Sequence, residues 1–411
     1  MFDKTYLLPS DALKILLDSL SEVPISAELL MIDNCYGRII ASDIVSSEDL
    51  PPFSRSTVDG FAVNSGDTFG AKENAPAYLM MNQEVFMGAA PAFVLRKGEA
   101  ARIPTGGMLP SGSDAVVMLE HAQIASSDMI EVLRSVAPSE NVITKGEDIT
   151  KGEKVLAKGR KLRAQDIGAL AGIGITEVMV YGKPVVAIIS TGDEIVPPTQ
   201  PLGLGQIRDI NSYTLSGLIS EHGGIPMKKG IFIDAYEAIA EAVEDALQDS
   251  DIVLISGGTS AGTKDMTSMI INDIGRPGVL FHGVSLKPGK PMIGGIINGK
   301  PILGLPGHPA AIVVCFDLFI RPLIEKIGGL DTDNYFLKTV KAKMIKNIAS
   351  AAGREDHIRV HIEDRGGEYV ATPVLGKSGL ITTLVRADGM VTIPYNKLGL
   401  DSGEEVTVKV F

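Results

Sequence analysis

The chain has 411 residues with 45% hydrophobic and 21% charged content, a formal net charge of −12 and a pI near 5.1. The length calls for roughly two to four domains of ~100–200 residues, and the composition excludes a disordered chain. The acidic balance excludes a general nucleic-acid binder, so any anionic ligand must be held by a local cationic pocket.

Residues 1–10, "MFDKTYLLPS", lack the apolar core of a signal peptide. Residues 10–20, "SDALKILLDSL", carry apolar positions at helical spacing behind a Ser/Asp start. From 38 to 136 short apolar runs are broken by Gly, Pro, Asn and Ser, which predicts an all-β module. "RAQDIGALAGIG" at 163–174 predicts a short helix. From 183 onward strands and helices alternate. "KPVVAIIS", "PMKKGIFI", "DIVLIS" and "VLFHGVSL" read as strands, and "PMIGGII" with "KPILGL" as a strand pair. Between them "NSYTLSGLISEHGG", capped by Asn211, "DAYEAIAEAVEDAL", opened by Asp234, and "DMTSMIINDI" read as helices. A long helix, "PAAIVVCFDLFIRPLIEKI", follows with Pro309 in its first turn. Its apolar stretch at 310–320 is short and contains Asp317, so it is a buried helix and not a membrane span. This alternation predicts a parallel sheet covered on both faces. After about 328 only short alternating strands remain, which predicts a small β barrel or sandwich. Two cysteines far apart, Cys35 and Cys315, fit a reducing compartment, and the cytoplasm is the expected location.

In an open parallel sheet ligands bind at the carboxyl ends of the strands. Four loops should leave those ends: "TGDE" (191–194), "GGTSAGTKD" (257–265), "LKPGKP" (286–291) and "PGHP" (306–309). Ser256, Gly257, Gly258, Ser260 and Gly262 offer glycines and hydroxyls that let backbone N–H groups approach an oxyanion. Pro306 and Gly307 open a helix whose free N–H groups favour a negative ligand. Lys287 and Lys290 add point charges, and Asp193, Glu194 and Asp265 are hard oxygen ligands suited to Mg²⁺ beside a phosphate. The shared edge therefore predicts a site for a phosphorylated ligand and a metal. His357 and His361 fall on one face of a strand ~13 Å apart, too far to share a metal, and are expected on a solvated face.

These loops, in order and spacing, resemble those of the molybdopterin molybdenumtransferase family, the MoeA/gephyrin E-domain group. The resemblance runs from "PPFSRSTVDGFAV" (51–63) through "RIPTGGMLPSGSDAVVMLE" (102–120) and "NVITKGEDITKG" (141–152). It continues over "ISTGDEI", "GQIRDINSY", "ISGGTSAGTKD", "LKPGKP" and "GLPGHPAA" to "GREDHIRV" (353–360) and "GKSGLITTLVRADGMVTIP" (376–394). It implies a multidomain α/β plus β fold: a discontinuous N-terminal linking domain (1–50 and 138–180), an inserted β domain (51–137), a parallel-sheet molybdopterin-binding domain (181–327) and a C-terminal small β barrel (328–411). It implies transfer of molybdenum from molybdate, the co-substrate, to adenylated molybdopterin with release of AMP, assisted by Mg²⁺. The site would lie between the sheet domain of one subunit and the inserted domain of the other in a homodimer, with transient contact to a molybdopterin adenylyltransferase and with no nucleic-acid or membrane partner. Asp59, Thr105, Asp148 and Glu194 would be catalytic, and Lys287, Lys290, Arg354 and Ser378 would surround the oxyanion. Departures from the family pattern stand at Val58, Ile143, Lys264, His308, Ala310 and Ala311. They keep two alternatives open: a cofactor-binding or scaffold paralogue without turnover, and a tungstate-using variant.

Overall fold

The structure is a computed structural model that describes residues 6–20, 26–257, 263–331 and 338–411, with the backbone alone at 263–265. A six-stranded sheet organises the 185–327 region. Its order is Ile225–Phe232, Val185–Thr191, Ile252–Gly257, Lys300–Leu305, Ile293–Ile297, Pro277–His282. The first four strands are parallel. Ile293–Ile297 runs against them and Pro277–His282 runs against it, back in the common direction. The exception has a local cause. Asn298 and Gly299 both adopt positive φ, 51° and 84°, and a two-residue turn of that kind joins antiparallel neighbours only. The carboxyl ends of Val185–Thr191, Ile252–Gly257, Pro277–His282 and Lys300–Leu305 consequently face one edge.

Three of the parallel strands, Val185–Thr191, Ile252–Gly257 and Lys300–Leu305, are apolar on both sides because both sides are covered, whereas the edge strand Ile225–Phe232 carries Lys228 and Lys229. Val186, Ile188, Leu254 and Leu303 meet Leu215, Ile219, Ile312 and Phe316 on one face. Ala187, Ile189, Val253 and Ile255 meet Ile239, Val243 and Ile270 on the other. The N-terminal helix Pro9–Asp18 adds Ala12 and Leu16 to the first of these cores.

Three expected elements differ in detail. Asn211 is not a cap: helix Asn211–Glu221 has its Ser212 N–H bonded to Asp209 Oδ1 at 3.0 Å, while Asn211 Nδ2 donates to Gly307 O at 2.9 Å. The strand expected over 279–286 ends at His282, because Gly283 turns the chain at φ +88°. Leu286–Lys287 then pairs in parallel with Glu355–Asp356 of the C-terminal unit. The long helix is continuous from Pro309 to Ile327 but passes through a π-helical segment at Phe316–Ile320. Pro322 has no N–H to return to the preceding turn, and a local widening accommodates that loss.

Residues from two distant stretches share a further core, Cys35, Ile40 and Ile44 with Ile149, Leu156, Leu170 and Val180. Between these stretches in sequence lies a six-stranded sheet ordered Ala115–Met118, Gly60–Val63, Glu99–Ile103, Ala77–Glu84, Met129–Val132, Ala122–Ser126. At the C-terminus Glu355–Asp364, Tyr369–Pro373, Thr339–Met344, Glu405–Val410 and Gly389–Ile393 close into a five-stranded barrel, because the last strand pairs back with the first. Among the described residues no helix is long and apolar enough to cross a membrane.

Candidate functional site

The edge where the strands end is tight. Gly257 sits at φ +119°, and a Cβ there would lie 2.0 Å from the Thr191 carbonyl oxygen, so only glycine lets these two strand ends approach. Beside it the Ser256 hydroxyl and the Asn211 Oδ1 are buried with no hydrogen-bond partner among the described residues. The Asn211 amide holds the Gly307 carbonyl, which fixes the Pro306–Gly307 turn against helix Asn211–Glu221. Gly258, Ser260 and Gly262 lie outside the described residues, as does the side chain of Asp265.

One side of this edge is acidic. Asp193 and Glu194 are exposed after strand Val185–Thr191. Asp234, which sequence reasoning placed only as a helix opener, joins them: its N–H donates to Asp193 Oδ1 at 3.1 Å. Burial, followed by the charges of Asp193 and Glu194, raises the Asp234 carboxyl above the ordinary aspartate range. The signal available in the sequence was its place directly after a parallel strand. Among the described residues no three His, Cys, Asp or Glu converge closely enough to hold a metal ion by themselves.

The other side is cationic. Gly289, at the centre of "KPGKP", takes φ +126°, and a Cβ there would meet Leu286 Cδ2 at 2.8 Å and Cys315 Sγ at 3.0 Å. The loop thus lies flat on the long helix, with both lysines exposed. Their repulsion is relieved separately. Lys287 Nζ stands 3.6 Å from Asp356 Oδ2, and Lys290 Nζ lies 4.4 Å from the centre of the Tyr6 ring. Asp356 is fully buried and also takes Arg354 Nε at 2.8 Å. Ser378 reaches the start of the long helix, where its hydroxyl is 2.8 Å from His308 Nδ1 and its carbonyl accepts from Ala310 N at 3.1 Å. Lys287, Lys377, Arg359, His357 and Ser378 line a cavity of about 320 Å³ between this loop and the barrel, together with one carboxylate, Asp356. His357 corrects an expectation. It is buried at 6% exposure, not solvated, because its strand is roofed over at this end, whereas His361 is exposed and bonds Asp388.

Asp59 and Thr105, far apart in sequence, are joined: Asp59 Oδ1 accepts from Thr105 N at 2.7 Å and from Thr105 Oγ1 at 3.0 Å. Those bonds, the backbone one first, hold the Asp59 carboxyl below its ordinary range, with Arg102 assisting. Asp148 is exposed where its N–H donates to Leu50 O at 3.1 Å. These groups stand on the inserted unit and its junction, with their hydrogen bonds closed there.

Residues 8–174 match the MoeA N-terminal region (domain I and II), 187–326 a probable molybdopterin binding domain, and 341–411 the MoeA C-terminal region (domain IV). A Methanocaldococcus jannaschii protein named for molybdopterin biosynthesis is 37% identical over 386 residues, 90% of this chain and 89% of that relative. This chain belongs to the MoeA family. A molybdopterin molybdenumtransferase of Nostoc is 34% identical over 377 residues, covering 90% of this chain and 86% of its own length. A crystal structure of a molybdopterin biosynthesis MoeA protein from Pyrococcus horikoshii OT3 superimposes with a TM-score of 0.86 at 34% identity, over 99% of this chain and 100% of that one. The MoeA architecture accounts for the two-part core at 35–180 and for the closed barrel.

Proposed function

We propose that this MoeA-family chain is a molybdopterin molybdenumtransferase of molybdenum cofactor biosynthesis, transferring molybdenum from molybdate to adenylated molybdopterin with release of AMP. The observation that carries the reading is the cationic cavity bounded by Lys287 and Ser378 in a chain of net charge −12. Local cations of this kind select a small dianion from a surface that otherwise repels it.

The parts divide the work by their chemistry. Lys287, Lys290, Arg354 and Ser378 bind the oxyanion. Ser256, Gly257, Gly258, Ser260, Gly262 and Gly307 present N–H and hydroxyl groups to the phosphates of the adenylated pterin, and Pro306, which has no N–H, shapes the turn that carries Gly307. Asp193, Glu194 and Asp234 are hard oxygen donors whose mutual repulsion a divalent cation would relieve, and we assign Asp265 to the same set by its chemistry. Mg²⁺, when bound there, would neutralise charge on the substrate phosphates. Asp59, Thr105 and Asp148, with Glu194, form the remaining polar groups of the site. Since the first three stand on the inserted unit and its junction, we place them against the edge of a second copy, in a homodimer. A cytoplasmic location and a transient encounter with a molybdopterin adenylyltransferase complete the proposal, as does the four-part division at 1–50 with 138–180, 51–137, 181–327 and 328–411.

Lys287→Ala and Lys290→Ala test the oxyanion role. Each lost charge-assisted contact is worth about 1.5–3 kcal/mol, so the molybdate concentration for half-maximal AMP release should rise roughly ten- to a hundredfold. An unchanged half-maximal concentration in folded variants would remove both lysines from the site.

A further inference from the structure

Arg359 is the least expected charge in this region. It lies on barrel strand Glu355–Asp364, is 8% exposed, and lines the cavity that Lys287 and Ser378 share. One Nη donates to the Gly376 carbonyl at 3.0 Å, and the Nε has no partner among the described residues. Among the described residues no carboxylate pairs with it. Asp356 is committed to Arg354 and Lys287. Glu355 stands 3.6 Å from His357 Nε2. A guanidinium does not give up its proton at working pH, so burial cannot silence this charge as it can a lysine or a carboxylate. An isolated buried cation is costly unless paired. The strand could have placed an apolar residue here at no such cost, as it does at Ile358 and Val360.

The surrounding geometry points to an external counterion. The cavity's about 320 Å³ is room for a tetrahedral oxyanion and several waters at ~30 Å³ each. Segment 374–376 wraps over Arg359, with Val374 N–H on the Arg359 carbonyl at 2.9 Å and the Gly376 carbonyl on its Nη. The side chain is therefore held in place before any ligand arrives, which lowers the ordering cost of binding. Lys287, 57% exposed, stands at the mouth of the same cavity.

We propose that Arg359 is the inner cationic contact for the oxyanion substrate, binding it from the barrel side while Lys287 closes on it from the loop. For the ligand's identity this rests on the transferase reading above; the anion site itself does not. It adds a buried strand residue of the barrel to Arg354 and Ser378, which the transferase reading already draws from the C-terminal unit.

Equilibrium dialysis with radiolabelled molybdate, run beside thermal melts, tests it. In Arg359→Gln, which keeps an N–H for the Gly376 carbonyl and removes the charge, the molybdate Kd should rise at least tenfold. Arg359→Lys should recover part of that loss. Affinity for the adenylated pterin should stay within twofold, and added molybdate should raise the melting temperature of the wild type but not of Arg359→Gln. A folded Arg359→Gln with unchanged molybdate Kd would overturn the proposal. If that variant does not fold, wild-type crystals soaked in tungstate decide: a tungsten anomalous peak in contact with the Arg359 guanidinium is expected, and its absence from the cavity would overturn the proposal. AMP release separates the two readings. Arg359-dependent molybdate binding without molybdate-dependent AMP release would sink the transferase reading alone. Molybdate-dependent AMP release with dialysis indifferent to Arg359 would sink this one alone.

Discussion

Asp166→Asn should destabilise the protein in a way that fades with acid. Asp166 is 4% exposed and opens helix Ala164–Gly172. It accepts from Arg163 N at 2.9 Å, Arg163 Nε at 3.0 Å, and Arg160 Nη2 at 2.9 Å. Burial alone would raise its carboxyl, but the bonds from Arg163 and Arg160 outweigh burial and bring it from 3.8 down to about 2. The folded form therefore holds its proton less tightly than the unfolded chain, so the ionised group stabilises the fold above the unfolded value and loses that contribution as pH falls through the folded one. The full difference is about 2 kcal/mol at pH 7, falling to about 1 kcal/mol at pH 3 and well below that at pH 2. Both arginine side chains are partly solvated, at 39% and 55% exposure, so about 2 kcal/mol is the upper end. Asparagine keeps the shape and an acceptor for the Arg163 N–H. The variant should melt about 4–8 °C below wild type at pH 7, with the gap at least halved by pH 2.5 in paired calorimetric scans. A gap below 1 °C at pH 7, or one that does not narrow with acid, would refute the reasoning.

Gly257→Ala should disrupt the strand ends at Thr191. A melting temperature lower by several degrees and loss of AMP release are expected, and a wild-type-like melt would contradict the close approach. Asp234→Asn removes one of three crowded carboxylates. Because its folded carboxyl titrates above the unfolded one, wild type loses stability as pH rises through that range, so the variant should melt higher at pH 8 while the Mg²⁺ needed for half-maximal AMP release increases; an unchanged Mg²⁺ response would exclude Asp234 from the metal set. Asp59→Asn should lower AMP release with little change in melting, since Asp59 is exposed; full activity would remove the Asp59–Thr105 pair from the site.

Much of this was legible because the relevant signals are local. Amphipathic spacing marked helix Tyr236–Asp249, and unbroken apolar runs marked strands Val185–Thr191 and Ile252–Gly257, whose two faces are both covered. The glycine- and lysine-bearing loops at the strand ends could be read because glycine, proline and lysine declare backbone shape and charge without reference to the rest of the chain. What stayed hidden depends on contacts across long sequence distances. His357 sits on an alternating strand that looks half-solvated, and its burial comes from how that strand end is covered. Lys290 finds the ring of Tyr6, and Arg359 is wrapped by segment 374–376. Asp209 takes over the capping that Asn211 was suited to, which frees Asn211 to hold Gly307. The Asp59–Thr105 pair could be named by resemblance, but its hydrogen bonds follow from the pairing of strands Gly60–Val63 and Glu99–Ile103.

The central claim, transfer of molybdenum coupled to AMP release, is tested most directly by incubating the purified protein with adenylated molybdopterin and Mg²⁺, with and without molybdate, and counting AMP released against molybdenum recovered on the pterin. Molybdate-dependent release at one AMP per molybdenum is the predicted result. Tight binding of the adenylated pterin with no AMP released at any molybdate concentration would contradict it and leave a binding protein on the same fold.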